Sequence, residues 1–330
     1  LGHKIELLSV MTYQAAVSES GSDPALQSAL ASLSIVIVMG VLFIQRHILS
    51  GGRRETTQGR KAVPVRLRHW RGMLIGGLAA LVIVISLMPL GVLVAGAFTR
   101  ARGPVMRWGE WTFANVERVL NNAPDPLINS LVYSLCATVI GIVLSTLISY
   151  LIVKKRNSLT PVLDYVAMLP LALSGTAIGI SLLMTFNNGV FSISGTAGII
   201  VLAYIMRRFP LGVRNASSTL FNIHDSIEEA SIGLGVAPFR SFVNVVLPLM
   251  VPAIMAATIL TWTTTVAELS ASIIVYSGGR ETLPIQIFRL IDSGLMAQAS
   301  VYGLILVLMI ILPILVVTRI MRVDLLQQGR

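Results

Sequence analysis

An all-α integral membrane protein is the fold class that the sequence predicts, on three observations. Apolar residues make up 55% of the chain and charged ones only 12%, with a mean hydropathy of +0.81 over 330 residues. Apolar runs recur at the length of about 20 residues that crosses a hydrocarbon core of about 30 Å. These runs lack the alternation of barrel strands, and backbone groups in lipid must be paired within the segment, so helices are the consistent solution.

In chain order the runs fall near residues 26–45, 73–97, 128–153, 162–186, 194–206, 248–275 and 299–319, about seven spans. The fifth is short. In the fourth, Pro170, Gly175 and Gly179 interrupt the helix, which lipid tolerates where neighbours bury the break or a cavity lines it. Packing between helices is the favoured reading there, because no charge accompanies the glycines.

The net charge of +10 is placed by the membrane rather than by nucleic acid. Arg46, Arg53, Arg54, Arg60, Lys61, Arg66, Arg68 and Arg71 lie between the first two runs, opposed by Glu55 alone. Lys154, Lys155 and Arg156 follow the third run, Arg207, Arg208, Arg214 and Arg240 the fifth, and Arg319, Arg322 and Arg330 the seventh. Together they are 18 of the 25 basic residues, all on alternate connections, which the positive-inside rule assigns to the cytoplasm. The amino terminus of this chain is therefore expected outside and its carboxyl terminus in the cytoplasm.

Several chemistries find no support. The one cysteine, Cys136, sits in an apolar run and reads as a small core thiol. His3, His47, His69 and His224 are scattered without an HExxH pair, and no GxxxxGK[ST] phosphate loop occurs, so the chain is not expected to hydrolyse nucleotide. Asp164 and Glu268 fall on different spans at opposite ends, which weakens an intramembrane enzyme. No metal ligand set is identified.

Gly2–Tyr13 echoes Gly278–Phe288: Gly2 meets Gly278, Lys4 meets Arg280 and, after one slipped residue, Tyr13 meets Phe288. Each copy leads through a polar stretch and one apolar run to a basic end. The expected organisation is a tail of an upstream half at 1–49 and a basic cytoplasmic linker at 50–71. A six-span half at 72–322 and a cytoplasmic tail at 323–330 follow.

The most informative stretch is "SIEEASIGLGVAPFRSFVNVVLPLMVP", Ser226–Pro252, within a loop at 222–248. Ser226 and Glu229 have capping-box spacing, and Glu228 and Glu229 suit a helix amino terminus. Ile227, Ala230, Ser231 and Leu234 recur at helical period as a face of small and apolar groups. Gly235 is expected to stop this helix in a left-handed conformation and Pro238 to open the next. Phe239, Phe242, Val243 and Val246 form a second stripe, with Arg240, Ser241 and Asn244 opposite. An interfacial hairpin on lipid is the bland alternative, but the acidic end and small residues fit a protein surface better.

Glu229-Ala230-Ser231, Gly235, and Val245, Leu247 and Pro248 resemble the EAA motif of ABC importer permeases: EAA, three residues, Gly, nine residues, then Ile-x-Leu-Pro. Ser231 replaces the second alanine and Val245 the isoleucine. "TFANVERVL", "DPLINSLVYSLCATVIGIVLSTLISYLIVKKR" with Asn129-Ser130-Leu131, "LPLALSGTAIGISLL" and "AELSASIIVYSGGRETLPIQIF" are similar to the ferric-iron branch, whose members fuse two permease halves. Ser174 stands where that branch usually has proline.

The resemblance implies a type I ABC importer helical bundle, with the transmembrane core at about 126–320, in a bacterial inner membrane. It implies a translocating subunit rather than an enzyme, with ferric iron as the first solute candidate and thiamine, polyamine, sulfate or phosphonate as alternatives. Glu228, Glu229, Ala230, Ser231, Gly235, Leu247 and Pro248 would form the coupling surface for a cytoplasmic ABC ATPase dimer. The implied partners also include an extracytoplasmic solute-binding protein, the other permease half and membrane lipid, but no nucleic acid. ATP and Mg would be bound by the ATPase and no cofactor by this chain.

For the solute path the candidates are Glu268, Thr264, Ser174 and Gly175. An ionisable group in a span is costly and faces the bundle interior or water. Counting up from Pro248 at ~1.5 Å per residue places Glu268 near the outer surface, as a solvated or gate-forming group. The neighbouring threonines, Thr261, Thr263, Thr264 and Thr265, line a hydrophilic path or bond to their own helix. An ATP-independent secondary transporter is the competing class, and it calls for intramembrane charge pairs.

Overall fold

A computed structural model describes residues 69–327, with 104, 123, 156 and 188–191 excepted, and a few positions between 29 and 44. The run at 26–45, the basic linker and the Gly2–Tyr13 echo lie outside the described residues, apart from those few positions.

Helix α1, His69–Phe98, is apolar on all sides and almost wholly exposed, as expected of a lipid-facing span. It leads into a hairpin, β1 Thr99–Arg102 against β2 Val105–Trp111, an antiparallel pair added to the expected all-helical fold. The short helix α2, Ala114–Asn122, closes this end, with Asn115 Nδ2 donating to the carbonyls of Ala97 and Thr99.

The centre is α3, Asp125–Lys154, packed along α6, Ala197–Phe221, with α9, Leu247–Val266, against both. Small residues set the α3–α6 approach. Ala137, Gly141, Ser145 and Ser149 recur every fourth residue on the buried face of α3. Opposite them, a Cβ on Gly212 would lie 2.6 Å from Ser145 Oγ. Ser149 Oγ donates to the Val213 carbonyl at 2.9 Å. Close backbone approach through small side chains is how membrane helices gain contact when lipid offers no hydrophobic drive. Cys136 lies on the exposed face of α3, so the expectation of a core thiol is corrected.

The fourth run is two helices, α4 Thr160–Ala172 and α5 Gly175–Phe186, bent by 108°. Leu173 and Ser174 are extended at the corner, and Ser174 Oγ accepts from the Ala177 N–H as the cap of α5. Its glycines are packing points: a Cβ on Gly175 would sit 2.6 Å from Ser270 Cβ, and one on Gly179 would sit 2.9 Å from the Ala271 carbonyl oxygen.

Two boundaries move. The short fifth run is the upper part of α6, which continues through Arg207, Arg208 and Arg214 without a break, so those arginines are not on a connection. The sixth run ends as a helix at Val266, followed by a turn and the short α10, Ser272–Val275.

Helix α11, Leu283–Asp292, then leads to α12, Met296–Gln327, which packs on α1 where Gly96 faces Ser300 and Gly303 faces Leu93. Among the described residues, four helices are long and apolar enough to span, five if the bent pair counts as one. Helix α6 falls outside that count because of its arginines.

The core has three parts. Tyr150, Val213, Leu220, Phe242, Val246 and Met250 fill the lower end, beside the Ser226–Pro252 stretch. Tyr133, Ile178, Ile199, Tyr204 and Val275 fill the upper end of α6. Ala97, Leu283 and Tyr302 join α1, α11 and α12.

Candidate functional site

The loop singled out by its sequence folds as α7, Asp225–Gly233, and α8, Pro238–Ser241, joined at Gly235. Gly235 has φ +89°, and the N–H groups of Gly235 and Val236 donate to the carbonyls of Ile232 and Ser231, a left-handed helix stop. Pro238 opens α8 as expected. The expected capping box does not form. His224 is the cap, its Nδ1 accepting from the Ser226 N–H, and Glu229 is exposed.

The two adjacent carboxylates divide the work of the loop. Glu228 is buried: Tyr150 Oη donates to its Oε1 at 2.5 Å and Lys155 Nζ to the same oxygen at 3.3 Å. Lys154 Nζ donates to the Ile223 carbonyl at 2.7 Å and forms an ion pair with Asp225. The Tyr150 ring rests on Phe242, centroids 4.3 Å apart, so one side chain of α3 joins both arms of the loop.

Glu229 is exposed, as are Ile227, Ala230, Gly235, Leu234 at 87% and Phe239 at 70%, while Ser231 is half-buried. The small and apolar face predicted for α7 therefore points away from the bundle. Of the second stripe, Phe242 and Val246 are buried but Phe239 and Val243 are exposed, and Ser241, placed opposite, is buried. From Phe242 onward the stripe is shifted by a π-turn over Phe242–Val246. It carries the chain past Pro248, whose ring would meet the Asn244 carbonyl in an unbroken α-helix. Leu247 packs on the lower core and Pro248 is exposed.

Of the four residues assigned to a solute path, Glu268, Thr264 and Gly175 meet around Arg207 and Arg208, whereas Ser174 caps its own helix. Glu268 is 4% exposed, not solvated. Its Oε2 accepts from Arg207 Nε at 2.9 Å and from Arg208 Nη2 at 2.6 Å. Arg208 Nη2 also donates to the Thr264 carbonyl at 2.7 Å, and Glu268 Oε1 accepts from the Ala271 N–H at 3.3 Å. A Cβ on Gly175 would lie 3.3 Å from Arg207 Cζ. Thr263 and Thr264 hydroxyls bond to carbonyls of their own helix, whereas Thr261 and Thr265 hydroxyls are buried without a partner.

Arg207 and Arg208 were missed by sequence reasoning, which placed them below the membrane. The signal was Glu268 itself, since a buried carboxylate requires a cation at matching depth. Tyr150 and Lys154 were missed as loop anchors. So was the latch at the other end, where Asn129 Nδ2 donates to the Glu281 carbonyl at 3.0 Å and Ser130 Oγ accepts from the Leu283 N–H at 2.6 Å. Among the described residues no group of three or more His, Cys, Asp or Glu side chains comes together as a metal site would require.

The architecture is a helical bundle with four or five apolar spans among the described residues and a two-helix knob at one end. The chain belongs to the binding-protein-dependent transport system inner membrane component family, whose sequence profile matches residues 137–323. The matched segment is the permease domain of an ABC transporter.

Among relatives, it is 24% identical over 96% of its length to the ferric transport system permease protein FbpB of Actinobacillus pleuropneumoniae, and covers 46% of that protein. It is 27% identical over 73% of its length to the putative 2-aminoethylphosphonate transport system permease protein PhnV of Salmonella typhimurium, and covers 91% of that one. The chain thus spans about half the length of the FbpB relatives it matches. A bacterial ABC transporter involved in the import of the acidic polysaccharide alginate shares the fold, with a TM-score of 0.58 over 79% of this chain and 99% of that chain at 16% identity.

Proposed function

We propose that this permease is one membrane-spanning half of an ATP-driven importer, moved by a cytoplasmic ATPase dimer that docks on α7 and supplied by an extracytoplasmic solute-binding protein. The observation that carries this reading is the division of Glu228 from Glu229. Glu228 bolts α7 to α3, while Glu229, Ala230 and Leu234 stand free for a partner. A push on α7 then passes to α3 through a buried hydrogen bond and to α9 through the π-turn, rather than being lost in a loose loop. ATP and Mg belong to the ATPase in this scheme, and a second permease half completes the path.

Ferric iron is the first solute on this reading, supported by the FbpB relatives aligned over 96% and 83% of the chain. Phosphonate uptake is the second, supported by the PhnV relative, which this chain covers almost end to end. The coupling role is tested by reconstituting the permease with its ATPase and binding protein and replacing Glu229→Ala or Gly235→Pro. Proline cannot adopt the φ of +89° at position 235. Solute-stimulated ATP hydrolysis should disappear in both while the protein still inserts; full stimulation in both would remove α7 from the coupling path.

A further inference from the structure

The charge cluster between α5, α6 and the turn after α9 is not balanced. Two guanidiniums share one carboxylate oxygen of Glu268, and the other oxygen is occupied by the Ala271 N–H. Among the described residues no other carboxylate forms an ion pair with either arginine. Arg208 Nε is buried and has no acceptor.

The amino-terminal end of a helix lies beside the same point, its Ala177 N–H already taken by Ser174 Oγ. Helix α5 begins at Gly175, and the place a Cβ would take there is 3.3 Å from Arg207 Cζ. The first N–H groups of a helix carry partial positive charge and lack partners within it. Two cations and a helix amino terminus thus surround a single negative charge. Their shared like charge in a low-dielectric interior is costly unless an anion answers it. The arginine side chains remain 26% and 23% exposed, so this chain by itself does not seal them.

We propose that Arg207, Arg208 and the amino-terminal end of α5 form an oxyanion-accepting station within the bundle, with Glu268 as its resident counter-ion. This rests on the chain being a transport subunit, and it narrows the solute to one that presents oxyanion groups, free or as ligands on a metal. Guanidinium forks and helix N–H groups both suit phosphoryl and carboxylate oxygens. A polyamine or a bare metal cation would be repelled. Glu268 holds both arginines at one carboxylate oxygen, and an arriving oxyanion takes over the donors that the carboxylate leaves unsatisfied.

The test uses the full-length permease with its ATPase in nanodiscs, without nucleotide. Saturable binding of inorganic phosphate, methylphosphonate, ferric pyrophosphate and putrescine is measured by calorimetry at two salt concentrations. Oxyanion binding should weaken about tenfold in Arg207→Gln and in Arg208→Gln, as expected for loss of a charge-assisted hydrogen bond. It should strengthen in Glu268→Gln, which removes the competing charge. A damaged fold would weaken binding in all three variants, so the opposite sign of Glu268→Gln separates a binding role from a structural one.

Phosphate or methylphosphonate binding alone identifies a free oxyanion, and binding of ferric pyrophosphate alone a metal-borne one; either supports the station. Putrescine binding that the same variants weaken, or oxyanion binding that none of them alters, would overturn it. So would the absence of saturable oxyanion binding. Solute-stimulated ATP hydrolysis, measured after ATP and the binding protein are added to the same nanodiscs, and its loss in Glu229→Ala report on α7 independently, so the station can fail while the coupling reading stands.

Discussion

The phenol of Tyr150 donates a 2.5 Å hydrogen bond to Glu228, tying the lower end of α3 to α7 across 78 residues of sequence. The bond is buried, and the same oxygen receives Lys155 Nζ from the surface side. Its carboxylate therefore keeps a charged partner even though it is shielded from water. The ring of Tyr150 lies against Phe242 at the start of the π-turn. Displacement of α7 must carry α3 and the root of α9 with it.

Tyr150→Phe keeps the ring contact and deletes only the donor. Leaving a buried acceptor short of a partner costs about 1–3 kcal/mol. Solute-stimulated ATP hydrolysis in the reconstituted complex should fall severalfold while the ATPase stays bound in a pull-down. Loss of ATPase binding instead would place Tyr150 in docking rather than transmission.

In the proposed scheme the ATPase docks on the outward face of α7 and α8. Leu234 and Phe239 are the most exposed large apolar side chains of the loop. An exposed apolar pair on such a loop suits a protein contact. Leu234→Asp and Phe239→Asp should each weaken capture of the ATPase by about tenfold or more, with the melting temperature of the permease alone unaltered. Undiminished capture by both variants would move the docking surface elsewhere.

How much of this was legible in the sequence divides along physical lines. Gly235 and Pro238 were legible because a left-handed stop and a helix start are local demands of backbone geometry. The break near Ser174 was legible from Pro170 and Gly175 for the same reason. What was lost depended on partners far away in sequence. Arg207 and Arg208 read as a membrane boundary because hydropathy counts charges singly, whereas α6 can carry them inward only because Glu268, about 60 residues on, receives both. His224 displaced the capping box because Tyr150 and Lys154, both on α3, fix the start of α7 from outside the helix. The hairpin at Thr99–Trp111 has short strands, and a run of arginines and tryptophans gave no clear period.

The corner between α4 and α5 is held by contact rather than by charge. A Cβ on Gly175 would lie 2.6 Å from Ser270 Cβ and 3.1 Å from the Ala271 nitrogen, a backbone atom that cannot swing aside. Gly175→Ala should destabilise the purified permease by about 1–3 kcal/mol through overpacking, seen as a lower midpoint in thermal unfolding. A midpoint equal to that of the parent would mean that α5 shifts outward at no cost.

At the opposite end of α3, Ser130 accepts the Leu283 N–H and Asn129 holds the carbonyl of Glu281, so the Gly278–Leu283 segment is pinned to the helix start. Ser130→Ala strands a buried N–H at a cost of about 1–3 kcal/mol. With a cysteine placed by Gly278→Cys on a Cys136→Ser background, maleimide should react several times faster once Ser130 is alanine. Equal rates would show that the segment is held by Asn129 and packing alone.

The two ends of the bundle should lie on opposite sides of the membrane. Gly96 packs on Ser300 near the start of α12, whereas Trp262, close to the top of α9, reaches the Met309 carbonyl nine residues further down α12. The hairpin after α1 therefore lies beyond the upper end of α9, and α7 lies beyond its lower end. Trp108, on the hairpin, and Ala230, on α7, are both exposed, so a cysteine at either is open to reagent. On a Cys136→Ser background, a membrane-impermeant maleimide should label Trp108→Cys only in right-side-out vesicles and Ala230→Cys only in inverted ones. Labelling of both from one face would break the chain of force from ATPase to α3, because α7 would then stand where no nucleotide-driven partner can reach it.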